Sequence, residues 1–179
     1  FAPLNLRLSP PEIAYMLEDS EAKLLLAAAG EIDLAEAAVA RMARPIPILT
    51  IGFDHPGHKR LAIETSAPAT PSRLRAEDDL LQLYTSGTTG KPKGVRLTNG
   101  NYGAFMVHSA GVDGFDYDSS ETVAIVMPLY HVAGANVSLA GLAHGCRVLI
   151  EKGFDAKRVL GLISTEHVAQ VFLAPTLIR

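Results

Sequence analysis

Short apolar runs with strand character alternate with helix-period segments along most of this chain, and that alternation restricts the fold more than any other feature. Residues 23–29, 46–51, 79–84, 94–97, 122–127, 146–150 and 168–173 read as strands. Between them lie helical segments at 32–42, 99–109, 135–143 and after Asp155. A further helix follows Ser9, Pro10, Pro11 and Glu12, a capping box with proline at the first helical position; Ile13, Met16 and Leu17 then recur at helical spacing. Strand–helix alternation of this kind predicts an α/β fold, with mostly parallel sheets covered by helices. Pro47 would place the 46–51 strand near an edge, because proline has no N–H for a ladder. Residues 53–78 are rich in Pro, Gly, His, Ser and charge, and read as a long surface connection between two subdomains. In open α/β sheets ligands bind beyond the carboxyl ends of strands, which directs attention to the residues immediately after Tyr84 and Met127.

Residues 84–95 read YTSGTTGKPKGV. Gly87, Gly90 and Gly94 let the backbone approach an anion closely and adopt positive φ. Successive N–H groups in such turns form a concave anion nest, and Thr85, Ser86, Thr88 and Thr89 add hydroxyl donors. Lys93 brings a compact positive charge suited to a triphosphate or a departing pyrophosphate. Pro92 stiffens the loop and holds Lys91 extended. The string is not a Walker A loop, since Pro92 stands where the second glycine should be, and it is not the dinucleotide glycine fingerprint. Composition by itself leaves a flexible Gly/Ser/Thr hairpin and a phosphate nest equally open.

The order of the residues carries more. The string resembles the signature loop of the adenylate-forming (AMP-binding) superfamily, and within it the acyl-CoA synthetases and fatty-acid–CoA ligases. A second segment, PLYHVAG at 128–134, resembles the family's Pro-x-x-His element. Residues 3–13 and 154–176 follow the family's run as well, so the resemblance covers essentially all 179 residues. It implies the acyl-CoA synthetase-like N-terminal domain, of which this chain would be a middle portion. It also implies a reaction in which a carboxylate attacks MgATP to give an acyl-adenylate and pyrophosphate, after which coenzyme A displaces AMP. Carried over residue by residue, it gives Thr85, Ser86, Gly87, Thr88, Thr89, Gly90 and Lys93 as ATP phosphate contacts. It gives His131 as a substrate-binding residue of the acyl pocket rather than a general base; outside this motif His131 would read as an ordinary hydrogen-bonded histidine. The adenylation lysine, the mobile C-terminal domain and the acid that helps to hold magnesium are implied to lie outside these residues. No catalytic residue or metal ligand is therefore assigned here, and the piece alone is expected to be inactive. Arg96 and Asn99 depart from the family, which often has an apolar residue and a histidine there.

The remaining sequence excludes more than it adds. A net charge of −3 argues against a nucleic-acid surface. No run of about eighteen apolar residues predicts a membrane span, and no basic leader precedes an apolar block. The single cysteine, Cys146, forms no internal disulfide, and together these features point to a cytoplasmic protein. Cys146 reads as packing. Asp113, Asp116 and Asp118 read as a solvated turn rather than a calcium loop. His55 and His58 could pair on a metal but read first as surface polar residues. Val132, Ala133, Gly134 and Ala135 leave room beside His131 without charge, which favours a monocarboxylate. Two alternatives to the CoA ligase stay open: an adenylation domain that loads a carrier protein, and a non-catalytic nucleotide-binding relative. Oligomeric state is not legible.

Overall fold

The computed structural model describes residues 1–62, 73–86, 90–112 and 115–177. Two compact units emerge, Phe1–Leu74 with Tyr84–Arg96, and Arg75–Leu83 with Leu97–Arg179.

The first unit opens with α1 (Pro10–Asp19), started by the capping box read from the sequence. The Glu12 carboxylate accepts from the Ser9 amide at 2.8 Å and from its hydroxyl at 2.6 Å. These bonds hold the Glu12 acid below the usual carboxylate range. On the inner face of α1, Ile13, Ala14 and Leu17 are buried against Ala35, Ala38 and Val39 of α2 (Ile32–Val39). Small alanines at that contact let two helices approach closely. Strands β1 (Leu25–Ala27), β2 (Ile48–Thr50) and β3 (Lys59–Arg60) form a parallel sheet in that order.

The expectation that Pro47 marks an edge is not met, because β2 lies in the middle of this sheet. Pro47 stands one residue before the strand, so no ladder donor is lost. Its carbonyl even accepts from Leu25 N at 3.0 Å. The predicted surface connection after Phe53 contains β3 and a bridge between His55 and His58.

In the second unit, Leu81 and Leu83 of β4 (Asp79–Thr85) pack with Tyr102 and Ala135. Leu81 is 1% exposed, and burying such a side chain contributes about 2 kcal/mol. β4 pairs with β5 (Lys93–Thr98), and the glycine-rich string joins the two strands. Thr98 then caps α3 (Asn99–Ser109), accepting from Asn101 N at 3.2 Å. All four residues of β6 (Thr122–Ile125) are buried, as befits a strand flanked in parallel by β7 (Arg147–Ile150) and β8 (Val168–Val171).

Helix α4 (Val132–Ala143) ends in a left-handed glycine, Gly145 at φ +79°. Its last carbonyls are satisfied by Gly145 N to Leu142 O and Cys146 N to Gly141 O, the pairing of a Schellman cap. Helix α5 (Ala156–Thr165) starts under Asp155, whose carboxylate accepts from Arg158 N at 2.7 Å. The β6–β8 register slips between Thr122 and Val123: Val168 pairs with Thr122, but Gln170 pairs with Val123. Ala169 is the residue passed over, as in a β-bulge.

Candidate functional site

Thr85 is the last residue of β4 and Lys93 the first of β5. Both side chains are exposed, as is Ser86. Gly90 adopts φ +92° and, among the described residues, has no neighbour within 4 Å of an added Cβ. Its backbone therefore uses the left-handed region that favours glycine. Gly87, Thr88 and Thr89 lie outside the described residues.

Two tyrosines tie the stems of this loop to α1. Tyr84, one residue before Thr85, donates its hydroxyl to the Asp19 carboxylate at 2.8 Å, with the Met16 carbonyl at 3.0 Å. Burial and then the neighbouring Asp19 push the Tyr84 phenol well above its ordinary range, so it stays a donor. Tyr15 donates to the Pro92 carbonyl at 3.2 Å. The Lys91 ammonium stands 5.2 Å from the centre of the Tyr15 ring, a cation–π distance. The sequence reading missed this set. Tyr15 and Asp19 are four apart on one helix face, but no sequence pattern joins them to Pro92 or Tyr84, 77 and 65 residues away.

His131 belongs to the other unit and is the N-cap residue of α4. Its backbone is extended, φ −107° and ψ 146°, and its carbonyl accepts from Ala135 N at 3.1 Å. The helix was expected from 135; it starts at Val132. The imidazole is exposed, and its ring centre is 4.8 Å from that of Tyr130. The position depends on Gly134. A Cβ there would meet the Pro128 carbonyl oxygen at 2.4 Å and the Met127 carbonyl oxygen at 2.7 Å. Only glycine lets the first turn of α4 sit so close to the chain leaving β6.

The other candidates resolve simply. Asp116 accepts from Gly111 N at 3.0 Å, and Asp118 from Ser120 N at 2.9 Å. These carboxylates close a turn, as expected; Asp113 is outside the described residues. Cys146 is buried, and its thiol lies 3.2 Å from the Asp118 carbonyl. Burial, then Glu121 and Asp118, push that thiol up. Asn99 donates to the Arg75 carbonyl at 3.1 Å. A cavity of about 300 Å³ beside Phe115, Tyr117 and His144 contains none of the sequence-predicted site residues. Among the described residues, no helix is long and apolar enough to cross a membrane.

Fold and loop together define an α/β chain whose glycine-, hydroxyl- and lysine-rich connection joins two strands. The chain belongs to the AMP-binding enzyme family, whose model matches residues 1–179. It is 34% identical over 180 residues to a feruloyl-CoA synthase from Amycolatopsis sp, covering 99% of this chain and 34% of that protein. It is 30% identical over 170 residues to the long-chain-fatty-acid–CoA ligase FadD13 of Mycobacterium tuberculosis, covering 93% and 32%. The crystal structure of the N-terminal domain of FACL13 from Mycobacterium tuberculosis, bound to an inhibitor, superimposes with a TM-score of 0.73. Its identity is 28%, covering 99% of this chain and 44% of that one. The fold is therefore that of the acyl-CoA synthetase-like N-terminal domain. The chain spans about a third of the length of the curated relatives it matches.

Proposed function

We propose that this chain provides the triphosphate grip and part of the acyl pocket of a carboxylate–CoA ligase. The observation that carries the proposal is the exposed Thr85, Ser86 and Lys93 at the ends of two paired strands, with both stems anchored to α1. An anion-binding loop works best when its donors are held in place before the charge arrives. The anchoring by Tyr84 and Tyr15 supports such a role more than it supports a flexible hairpin.

In the proposed first step a carboxylate oxygen attacks the α-phosphorus of ATP. The bond to the bridging oxygen breaks, and pyrophosphate leaves with the electron pair. The charge growing on that leaving group is where the Lys93 ammonium and the Thr85 and Ser86 hydroxyls act. In the second step the thiolate of coenzyme A attacks the acyl carbonyl and AMP leaves. Such transfers rely on positioning and charge neutralisation more than on covalent help from the protein. Residues 85–94 contain no acid, so within this loop Mg²⁺ would meet phosphate oxygens rather than carboxylates. Its contribution would be further neutralisation of the phosphates. Gly87, Thr88, Thr89 and Gly90 complete the proposed phosphate cradle, and His131 is proposed to line the acyl pocket. The uncharged Val132 to Ala135 stretch supports a monocarboxylate substrate.

The test is Lys93→Ala in the full-length enzyme, with pyrophosphate release and CoA-thioester formation read separately over a panel of monocarboxylates. Losing one preorganised charge partner should lower kcat/KM for ATP about a hundredfold or more. Unchanged turnover would remove Lys93 from the mechanism. Pyrophosphate release without any CoA thioester would point to a carrier-protein acceptor instead.

A further inference from the structure

The first unit also brings together three metal-ligand side chains that the nucleotide reading does not use. Glu36 lies on α2, and His55 and His58 lie in the turn before β3. An antiparallel bridge pairs the two histidine backbones. Their rings stack with centres 4.9 Å apart and planes 15° apart. His58 Nε2 is 2.8 Å from the Glu36 carboxylate. One ligand atom from each residue lies within 4.8 Å of the other two. The turn is fixed from below: the buried Thr50 donates its hydroxyl to the Phe53 carbonyl at 2.8 Å, and its own carbonyl accepts from Leu61 N at 2.8 Å.

We propose that Glu36, His55 and His58 form a binding site for a divalent transition-metal ion of the zinc type, which clips the 53–60 turn to α2. Two imidazoles and one carboxylate are a zinc ligand set, leaving a fourth position for water. Imidazole nitrogen selects zinc and its neighbours over magnesium or calcium, which take oxygen. With bonds of about 2.0–2.2 Å, tetrahedral donors stand about 3.3–3.5 Å apart. The Glu36–His58 pair, at 2.8 Å, must open by about 0.5 Å to reach that separation as the ion takes the place of the hydrogen between them. His55 must turn out of the stack to complete the set. That movement has a marker. His55 Nδ1 accepts from the Gly57 amide at 3.2 Å. Coordination through Nδ1 displaces that bond directly. Coordination through Nε2 moves the ring proton to Nδ1 and breaks it as well.

The full chain, free of any affinity tag and stripped of metal, is titrated with Zn²⁺ by calorimetry. Co²⁺ is followed by its visible spectrum, and the Gly57 amide by NMR. One equivalent should bind at this site, Co²⁺ should give the intense bands of four-coordination, and the Gly57 amide should be among the most shifted. His55→Gln, His58→Gln and Glu36→Gln should each weaken Zn²⁺ binding more than about tenfold, since losing even an outer-shell partner typically costs that much. His108→Gln, at an exposed position of α3, should leave it unchanged. Circular dichroism of the metal-free variants checks that they fold. The Gly57 amide is read on the parent chain and needs no variant. Unaltered affinity in the His55 and His58 variants, a silent Gly57 amide, or equal binding of Mg²⁺ would overturn the proposal.

Discussion

Gly134→Ala tests the packing that places His131. The added Cβ would lie 2.4 Å from the Pro128 oxygen, 2.7 Å from the Met127 oxygen and 2.8 Å from the Pro128 carbonyl carbon. Ordinary contact begins at 3.4 Å, so the nearest approach must open by about 1 Å. All three atoms are backbone and cannot swing aside like a side chain. Overpacking of this kind costs about 1–3 kcal/mol. Moving the Pro128 carbonyl also strains its bond from His131 N, now 3.1 Å, worth about 1 kcal/mol. Alanine returns about 1 kcal/mol through helix propensity. The net expectation is a loss of about 1–3 kcal/mol, or roughly 2–12 °C in Tm for a chain of this length. Urea unfolding followed by far-UV circular dichroism measures it. Gly161→Ala is the internal control, because Gly161 lies within α5 and an added Cβ there meets nothing within 4 Å. That variant should gain about 1 kcal/mol. If Gly134→Ala matched or exceeded the parent midpoint at the same slope, the close approach would not constrain the start of α4.

Tyr84→Phe removes the bond to Asp19 while keeping the ring. Asp19 is exposed, so the loss should fall near the low end of charge-assisted bonds, about 1.5 kcal/mol. It is read by urea midpoint, and an unchanged midpoint would mean that the hydroxyl does not anchor the stem. Stability should also fall on the alkaline side. Cys146, Tyr84, Tyr102 and Tyr117 all have folded pKa values raised, chiefly by burial. Each contributes stability that is complete below its unfolded value, about 8.5 for the thiol and about 10 for the phenols. That stability is lost as pH rises through the folded values. Urea midpoints should therefore decline from about pH 8.5 upward, and a flat profile to about pH 11 would contradict the burial argument. Native Cys146 should react with a thiol reagent far more slowly than the unfolded chain.

The alternation of elements was legible because period-2 and period-3.6 patterns follow from which faces are buried. The string from Tyr84 to Val95 was legible because its order, and not its composition, is distinctive. The centre position of β2 was not legible. Proline forbids a ladder donor only at its own residue, and the pattern could not show that the strand begins one residue later. The Tyr84–Asp19 and Glu36–His58 pairs were hidden for another reason. Each joins residues far apart in sequence, so only the packing of Tyr84 against α1, and of the 53–60 turn against α2, reveals them. His131 lay where strand-end reasoning put it, but its place at the head of α4 depends on a backbone approach that no periodicity records.

The slip at Ala169 has a consequence for how β8 can be compared with other chains. Val168 and Gln170 would normally share a face, yet they pair with Thr122 and Val123, which do not. The strand thus changes phase partway along. Gln170 is turned so that its amide donates to the Asp116 carbonyl at 2.6 Å and to the Glu121 carboxylate at 3.0 Å. A relative lacking one residue here could pair β6 without interruption and would carry an inverted face pattern upstream or downstream of the gap. One-residue length variation at Ala169 is therefore a change of phase within an otherwise intact ladder, not a loss of the strand.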